Sequence, residues 1–189
     1  MPFVVENGLL AAARFVPSPN CDERPAATPI DLLVIHSISL PPACYGGDEI
    51  EAFFCNRLDT AAHPFFSEIA DLKVSAHLLL RRSGEAIQFV NFNQRAWHAG
   101  ESCFAGRTRC NDFSIGVELE GCEQDSFTSA QYAALADVTL ALQKAYPGIS
   151  NAHITGHQQI APGRKTDPGP GFDWLHYRSL HLQALADKA

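Results

Sequence analysis

The spacing of apolar positions changes several times along the chain, and each change marks an element. Leu32-Leu33-Val34-Ile35 is apolar at consecutive positions up to His36, the pattern of a strand covered on both faces. Pro41-Pro42 and Gly46-Gly47 then mark a loop, and Asp48 to Leu58 predicts a short helix. Val74 to Leu80 and Glu85 to Val90 flank Arg82-Ser83-Gly84, which predicts a hairpin. Asp112 to Glu120 alternates as a further strand. Thr128 and Gln131 have the spacing of a capping box, and Tyr132, Leu135, Ala136, Thr139, Leu142 and Tyr146 keep helical spacing until Pro147-Gly148 stops them. A closing helix is predicted over Phe172 to Ala186. Strands mixed with helices, one hairpin included, imply an α/β or α+β fold with a mixed sheet.

At 189 residues, 46% of them hydrophobic, the chain suits one domain with a substantial core. Residues 1–30, rich from 15 onward in Pro, Asn, Asp and Ala, read as an irregular lead-in to a core over 31–186. The net charge of −7 and the lack of any Lys/Arg block exclude a nucleic-acid partner. No apolar run approaches the length of a membrane span. No basic segment precedes an apolar one at the N-terminus, so the expected compartment is the cytoplasm. Six cysteines form no CxxC pair and are expected to be reduced thiols.

Candidate chemistry gathers at the ends of elements. His36 closes the most apolar strand where the chain enters a Pro/Gly-rich loop, and open α/β sheets place sites at such strand ends. A core histidine bonded to backbone is the other reading of that position. The stretch from His157 to Gly169 brings His157, Lys165 and Asp167 together among Pro and Gly, on a backbone that is constrained but not helical. Catalytic zinc sites use three protein ligands of these types and keep a fourth position open. His36, His157 and Asp167 would supply that set, although the stretch also reads as a turn-rich surface loop. His153 and His157 lie four apart, but a zincin needs Glu directly after its first His. Ile154 and Gly156 close that route.

Period two along Ser114 to Glu120 sends Ile115, Val117 and Leu119 toward the core and Ser114, Gly116, Glu118 and Glu120 to the opposite face. Glutamate is depleted in strands, so that face is either a polar cleft or open to solvent. Periodicity does not choose between the two glutamates, and Gly116 leaves room beside them for a ligand or a close backbone. Arg95 to Gly100 reads as a substrate shelf or as a loop pinned by Trp97, and His77 as a buried strand histidine. A cysteine nucleophile paired with histidine is a further mechanism, but no cysteine sits in a nucleophile turn.

Several segments carry a resemblance: Val16 to Asn20, Leu32 to Pro42, Val74 to Leu80, Arg95 to Gly100, Cys110 to Gly121, Gly156 to Gly169 and Phe172-Asp173-Trp174. Over them the chain resembles the zinc N-acetylmuramoyl-L-alanine amidases, a family related to peptidoglycan recognition proteins and phage lysozyme-type amidases, and in particular its cytoplasmic recycling members. The most specific matches are Ile160-Ala161-Pro162 with Arg164 to Gly169, and Asn111 to Gly116 with Glu118 to Gly121. The resemblance implies a central mixed β-sheet flanked by helices, with one zinc ion held by His36, His157 and Asp167. It selects Glu118 over Glu120 as the catalytic carboxylate and marks Lys165 as a second catalytic residue. Arg109 matches a position that meets a carboxylate of the peptide, and Trp97 one on the sugar-side wall. The implied substrate is a small muropeptide, cut between the lactyl group of anhydro-N-acetylmuramic acid and L-alanine, with no obligatory protein partner.

Two positions depart from the family pattern. Ser37 stands where Asn is common after the first ligand, and Gln158 where a small residue or Cys is common after the second. The alternatives are a non-catalytic muropeptide-recognition module and an exported or phage-type wall lysin. The complete ligand set with Glu118 and Lys165 argues against the first, and the N-terminal pattern against the second.

Overall fold

In the computed structural model residues 3–187 are described. Strands β1 (Val5–Glu6), β2 (Leu9–Leu10), β3 (Arg14–Phe15) and β4 (Cys21–Glu23) precede the long β5 (Leu32–Ile38). Helices α1 (Glu49–Phe54) and α2 (Pro64–Glu68) follow, then β6 (Leu78–Leu80), β7 (Ala86–Gln88) and β8 (Gln94–Ala96). Strands β9 (Cys103–Phe104) and β10 (Arg107–Thr108) lead to the second long strand, β11 (Ser114–Glu120). Helix α3 (Ser129–Ala145), strand β12 (Ile154–Gly156), and helices α4 (His157–Ile160) and α5 (Trp174–Ala186) complete the chain.

Six strands form the central sheet in the order β12-β5-β11-β6-β7-β3, mixed because β6 and β7 are antiparallel while the other neighbours run parallel. This is the expected α/β fold, a mixed sheet between helices. Leu33, Ile35, Ile115, Val117 and Leu119 pack from one face against Leu135, Val138 and Leu142 of α3 and Tyr177 of α5. Leu79 and Ile87 meet Phe53, Phe54 and Phe66 of α1 and α2 on the other face. The period-two reading of β11 therefore holds. Helix α3 carries its capping box, with the Thr128 hydroxyl accepting from Gln131 N at 3.1 Å and the Gln131 side chain accepting from Thr128 N at 3.1 Å.

The structure changes several local expectations. The lead-in is not wholly irregular: β1 and β2 form a hairpin through Asn7 (φ 52°) and Gly8 (φ 78°), and β3 and β4 pair with β7 and β8. Positive φ at both turn residues is the tight hairpin geometry that Asn-Gly favours. Helix α1 ends at Phe54 rather than Leu58, because Asn56 turns left-handed at φ 56°. The His157 stretch begins with one helical turn, α4, whose free Gly156 N–H is taken by the Gln159 side chain at 2.9 Å.

Arg24 ties the lead-in to the core. Its guanidinium donates to the carbonyls of Phe92, Asn111, Asp112 and Ser114 at 2.8–3.2 Å. Burial pulls its pKa down to about 10, which leaves it charged at neutral pH. Arg24→Met should lower the unfolding free energy by about 3 kcal/mol or more, because it strands those carbonyls without donors. Urea denaturation reads this, and a loss below about 1 kcal/mol would contradict it.

Candidate metal centre and catalytic cleft

Sheet register sets the site. In the parallel pair β5/β11, His36 lies opposite Glu118, so both side chains leave the same face side by side. Strand β12 runs parallel to β5 with Gly156 beside Ile35, and His157 follows directly on the same side of the sheet edge. The loop after α4 folds back so that Gln158 N donates to Asp167 O at 2.9 Å. Three parallel strands thus deliver their carboxyl ends to one place, where parallel sheets put their ligands. His36 does not close its strand as expected; β5 continues through Ser37 to Ile38.

His36 Nδ1 lies 3.0 Å from His157 Nδ1 and 3.0 Å from Asp167 Oδ2, and His157 Nδ1 lies 3.1 Å from Asp167 Oδ2. Both histidines are buried. The other ring nitrogens indicate where the protons sit. His157 Nε2 faces the Ala99 carbonyl at 3.0 Å, which only accepts, so the proton is assigned to Nε2 and Nδ1 presents a lone pair. His36 Nε2 faces His98 Nδ1 at 2.9 Å, and His98 Nε2 faces Ser114 Oγ at 3.1 Å; with the Ser114 hydroxyl accepting, this chain assigns His36 the same tautomer. Burial pushes the His36 imidazolium pKa down to about 4, so the ring is neutral at pH 7. Two imidazole lone pairs and a carboxylate oxygen then converge with no hydrogen between them, an arrangement that calls for a cation. Tetrahedral zinc at its usual bond lengths would separate its ligand atoms by roughly 3.3 Å, and the observed triangle needs little adjustment to meet that. The residues fit the ion.

These residues line one side of a cavity of about 290 Å³, together with His98, Glu118 and Lys165. Phe53, Phe54, Phe65, Ile69, Leu72 and Val74 form an apolar wall opposite. The sequence reading missed this wall; the paired phenylalanines at 53–54 and 65–66 were its available signal.

The two glutamates of β11 separate clearly. Glu120 is buried and accepts from Gly46 N at 2.6 Å and Arg82 N at 2.9 Å, with Arg81 at 3.6 Å. Glu118 faces the cavity, and its buried Oε2 has no hydrogen-bond partner. Burial, reinforced by the nearby Asp167 charge and opposed by Lys165, holds the Glu118 carboxyl well above the usual carboxylate range. Gly116 makes room for a histidine, since a Cβ there would lie 2.5 Å from His98 Cγ. His77 is buried as expected and accepts Gly116 N–H at 3.0 Å.

Lys165 is exposed at the cavity rim. Trp97 lines the cavity, its Nε1–H bonded to Asp22 Oδ1 at 3.1 Å. Arg109 does not line it; it is exposed, left-handed at φ 61°, and 3.4 Å from Asp112. Ser37 lines the cavity and Gln158 does not.

Residues 26–170, which span the triangle and β11, match the family of N-acetylmuramoyl-L-alanine amidases, Amidase_2. The chain is 56% identical over 177 residues to the 1,6-anhydro-N-acetylmuramyl-L-alanine amidase AmpD of Escherichia coli (strain K12), covering 94% of this chain and 96% of that one. It is 51% identical to AmpD of Haemophilus influenzae over 93% of this chain and 95% of that one. A crystal structure of an Se-Met AmpD derivative matches with a TM-score of 0.91 at 56% identity, over 94% of this chain and 98% of that one. The Escherichia coli amidase AmiD, solved with anhydro-N-acetylmuramic acid-L-Ala-D-gamma-Glu-L-Lys, matches at 0.59 with 28% identity, over 95% of this chain and 65% of that one. With its sequence and fold in common with such enzymes, the chain belongs to the N-acetylmuramoyl-L-alanine amidase family and is an amide hydrolase.

Proposed function

We propose that this amidase is zinc-dependent and cuts the amide between the lactyl group of 1,6-anhydro-N-acetylmuramic acid and L-alanine of a muropeptide, in cytoplasmic peptidoglycan recycling. The convergence of His36 Nδ1, His157 Nδ1 and Asp167 Oδ2 in one cavity with the unpartnered Glu118 carboxylate carries this reading. The relatives' named activity and the ligand seen in AmiD support the substrate. Among the described residues no helix is long and apolar enough to cross a membrane.

His36, His157 and Asp167 would hold the zinc ion, which when bound would supply Lewis-acid polarisation of the scissile carbonyl and a water of pKa roughly 7. Glu118 takes the proton of the attacking water on its free oxygen and passes it to the alanine nitrogen, so the amine leaves neutral. Lys165 brings its ammonium from the rim to the developing oxyanion. Trp97 gives the sugar a fixed wall, because Asp22 holds its indole and is itself held by Arg95 at 2.6 Å. Arg109, further out, meets a carboxylate of the stem peptide. Trp97→Ala should raise KM roughly tenfold with kcat nearly unchanged, the cost of a lost ring contact. Steady-state kinetics on the anhydro-muropeptide separate the two constants, and a fall in kcat alone would contradict the wall assignment.

Elemental analysis tests the metal reading: one zinc per chain is the expected content. A protein that hydrolyses the substrate fully with no bound metal would sink it.

A further inference from the structure

Both ligand histidines take their outer hydrogen bonds from one short segment, residues 98–99. The His98 ring presents Nδ1 to His36 Nε2 at 2.9 Å, and the next residue presents its carbonyl to His157 Nε2 at 3.0 Å. Neither partner is free to drift. Asn111 Oδ1 accepts from His98 N at 3.2 Å and from Ala99 N at 2.7 Å, clamping the segment from a different part of the chain. Ser114 Oγ lies 3.1 Å from His98 Nε2, so the ring's second nitrogen is engaged as well. Gly116 leaves the space into which the ring packs. The His36 and His98 rings meet edge to face, 89° apart, with their centroids 5.0 Å apart.

From this juxtaposition we propose that His98 is a positioning residue which, with the Ala99 carbonyl and the Asn111 clamp, fixes both ligand histidines as Nε2–H tautomers with Nδ1 turned to the metal. The inference rests on the metal reading above and adds to it how the ligand set is preorganised. A ligand imidazole whose far N–H is unfixed can flip or change tautomer, and losing such a partner typically weakens metal binding about 10–100-fold. His98 touches neither the substrate bond nor the ion; it acts through His36.

Zinc affinity, measured by competition with a chromogenic chelator, tests the proposal independently of turnover. His98→Phe keeps a ring of similar size but removes the acceptor, and should weaken zinc binding about 10–100-fold. His98→Asn places an amide oxygen where Nδ1 stood and should restore affinity to within a few-fold. Equal affinity in His98→Phe and the unsubstituted protein would overturn the proposal, while loss of zinc in His36→Ala would leave the metal reading intact. Retention of zinc by His36→Ala would instead overturn the ligand assignment itself, and the clamp with it. Long-range proton–nitrogen NMR of the zinc-loaded, unsubstituted protein needs no variant to fold. It should show His36 and His157 protonated at Nε2, and an Nδ1–H form of either would overturn the proposal.

Discussion

Glu118→Gln is expected to lower kcat by about 10²–10⁴-fold, the usual contribution of a general base, while zinc content stays at the unsubstituted level. The amide matches the carboxylate in size but cannot accept the water's proton. Because Glu118 Oε2 has no partner in the fold, little structure depends on its charge. Glu120→Gln provides the contrast. Its carboxylate accepts from the backbone N–H groups of Gly46 and Arg82 and pairs with Arg81, so the change should cost stability without a selective loss of the chemical step. Rate measurements with thermal melts on both variants distinguish these roles. Full turnover in Glu118→Gln would remove it from the mechanism.

Asp167→Ala should abolish stable zinc binding, weakening it by more than the roughly 100-fold that marks loss of an outer partner. The carboxylate is the one negative charge among the three ligand atoms, which lie 3.0–3.1 Å apart. Melts of both proteins without metal set the baseline. The difference appears on adding zinc. Binding to the native state raises stability by RT ln(1 + [zinc]/Kd), and that rise in Tm should vanish in the variant. Normal zinc content in Asp167→Ala would exclude it from the ligand set.

The elements that position the site were readable in the sequence where one signal dominated. Residues 32–35 are apolar without interruption, and β5 is buried on both faces there. Thr128 and Gln131 announced α3, and their reciprocal bonds are present. Alternation in β11 put Glu118 and Glu120 on one face, but only tertiary contacts tell them apart: one is bound by backbone donors, the other opens on the cavity. The pairing of His36 with Glu118 is a matter of register between strands roughly 80 residues apart, which no local pattern encodes. Asn7-Gly8 was a legible hairpin signal that the irregular reading of the lead-in passed over. The turn of α4 was hidden because Gly156 and Pro162 speak against a helix, whereas a single turn capped by Gln159 fits between them. His98 was visible only as a histidine near Trp97; its place between His36 and Ser114 depends on the folded path of residues 92–113.

Hydrolysis of an anhydro-muropeptide with a metal held by His36, His157 and Asp167 has a direct readout in its products. Mass spectrometry of 1,6-anhydro-N-acetylmuramyl peptide after incubation with the protein tests it most directly, run as prepared, with a zinc chelator, and after zinc is restored. Free stem peptide and free anhydro sugar should appear in the first and third samples and be absent from the second. An intact substrate in the zinc-restored sample, or equal cleavage under chelation, would rule out metal-dependent hydrolysis at this site.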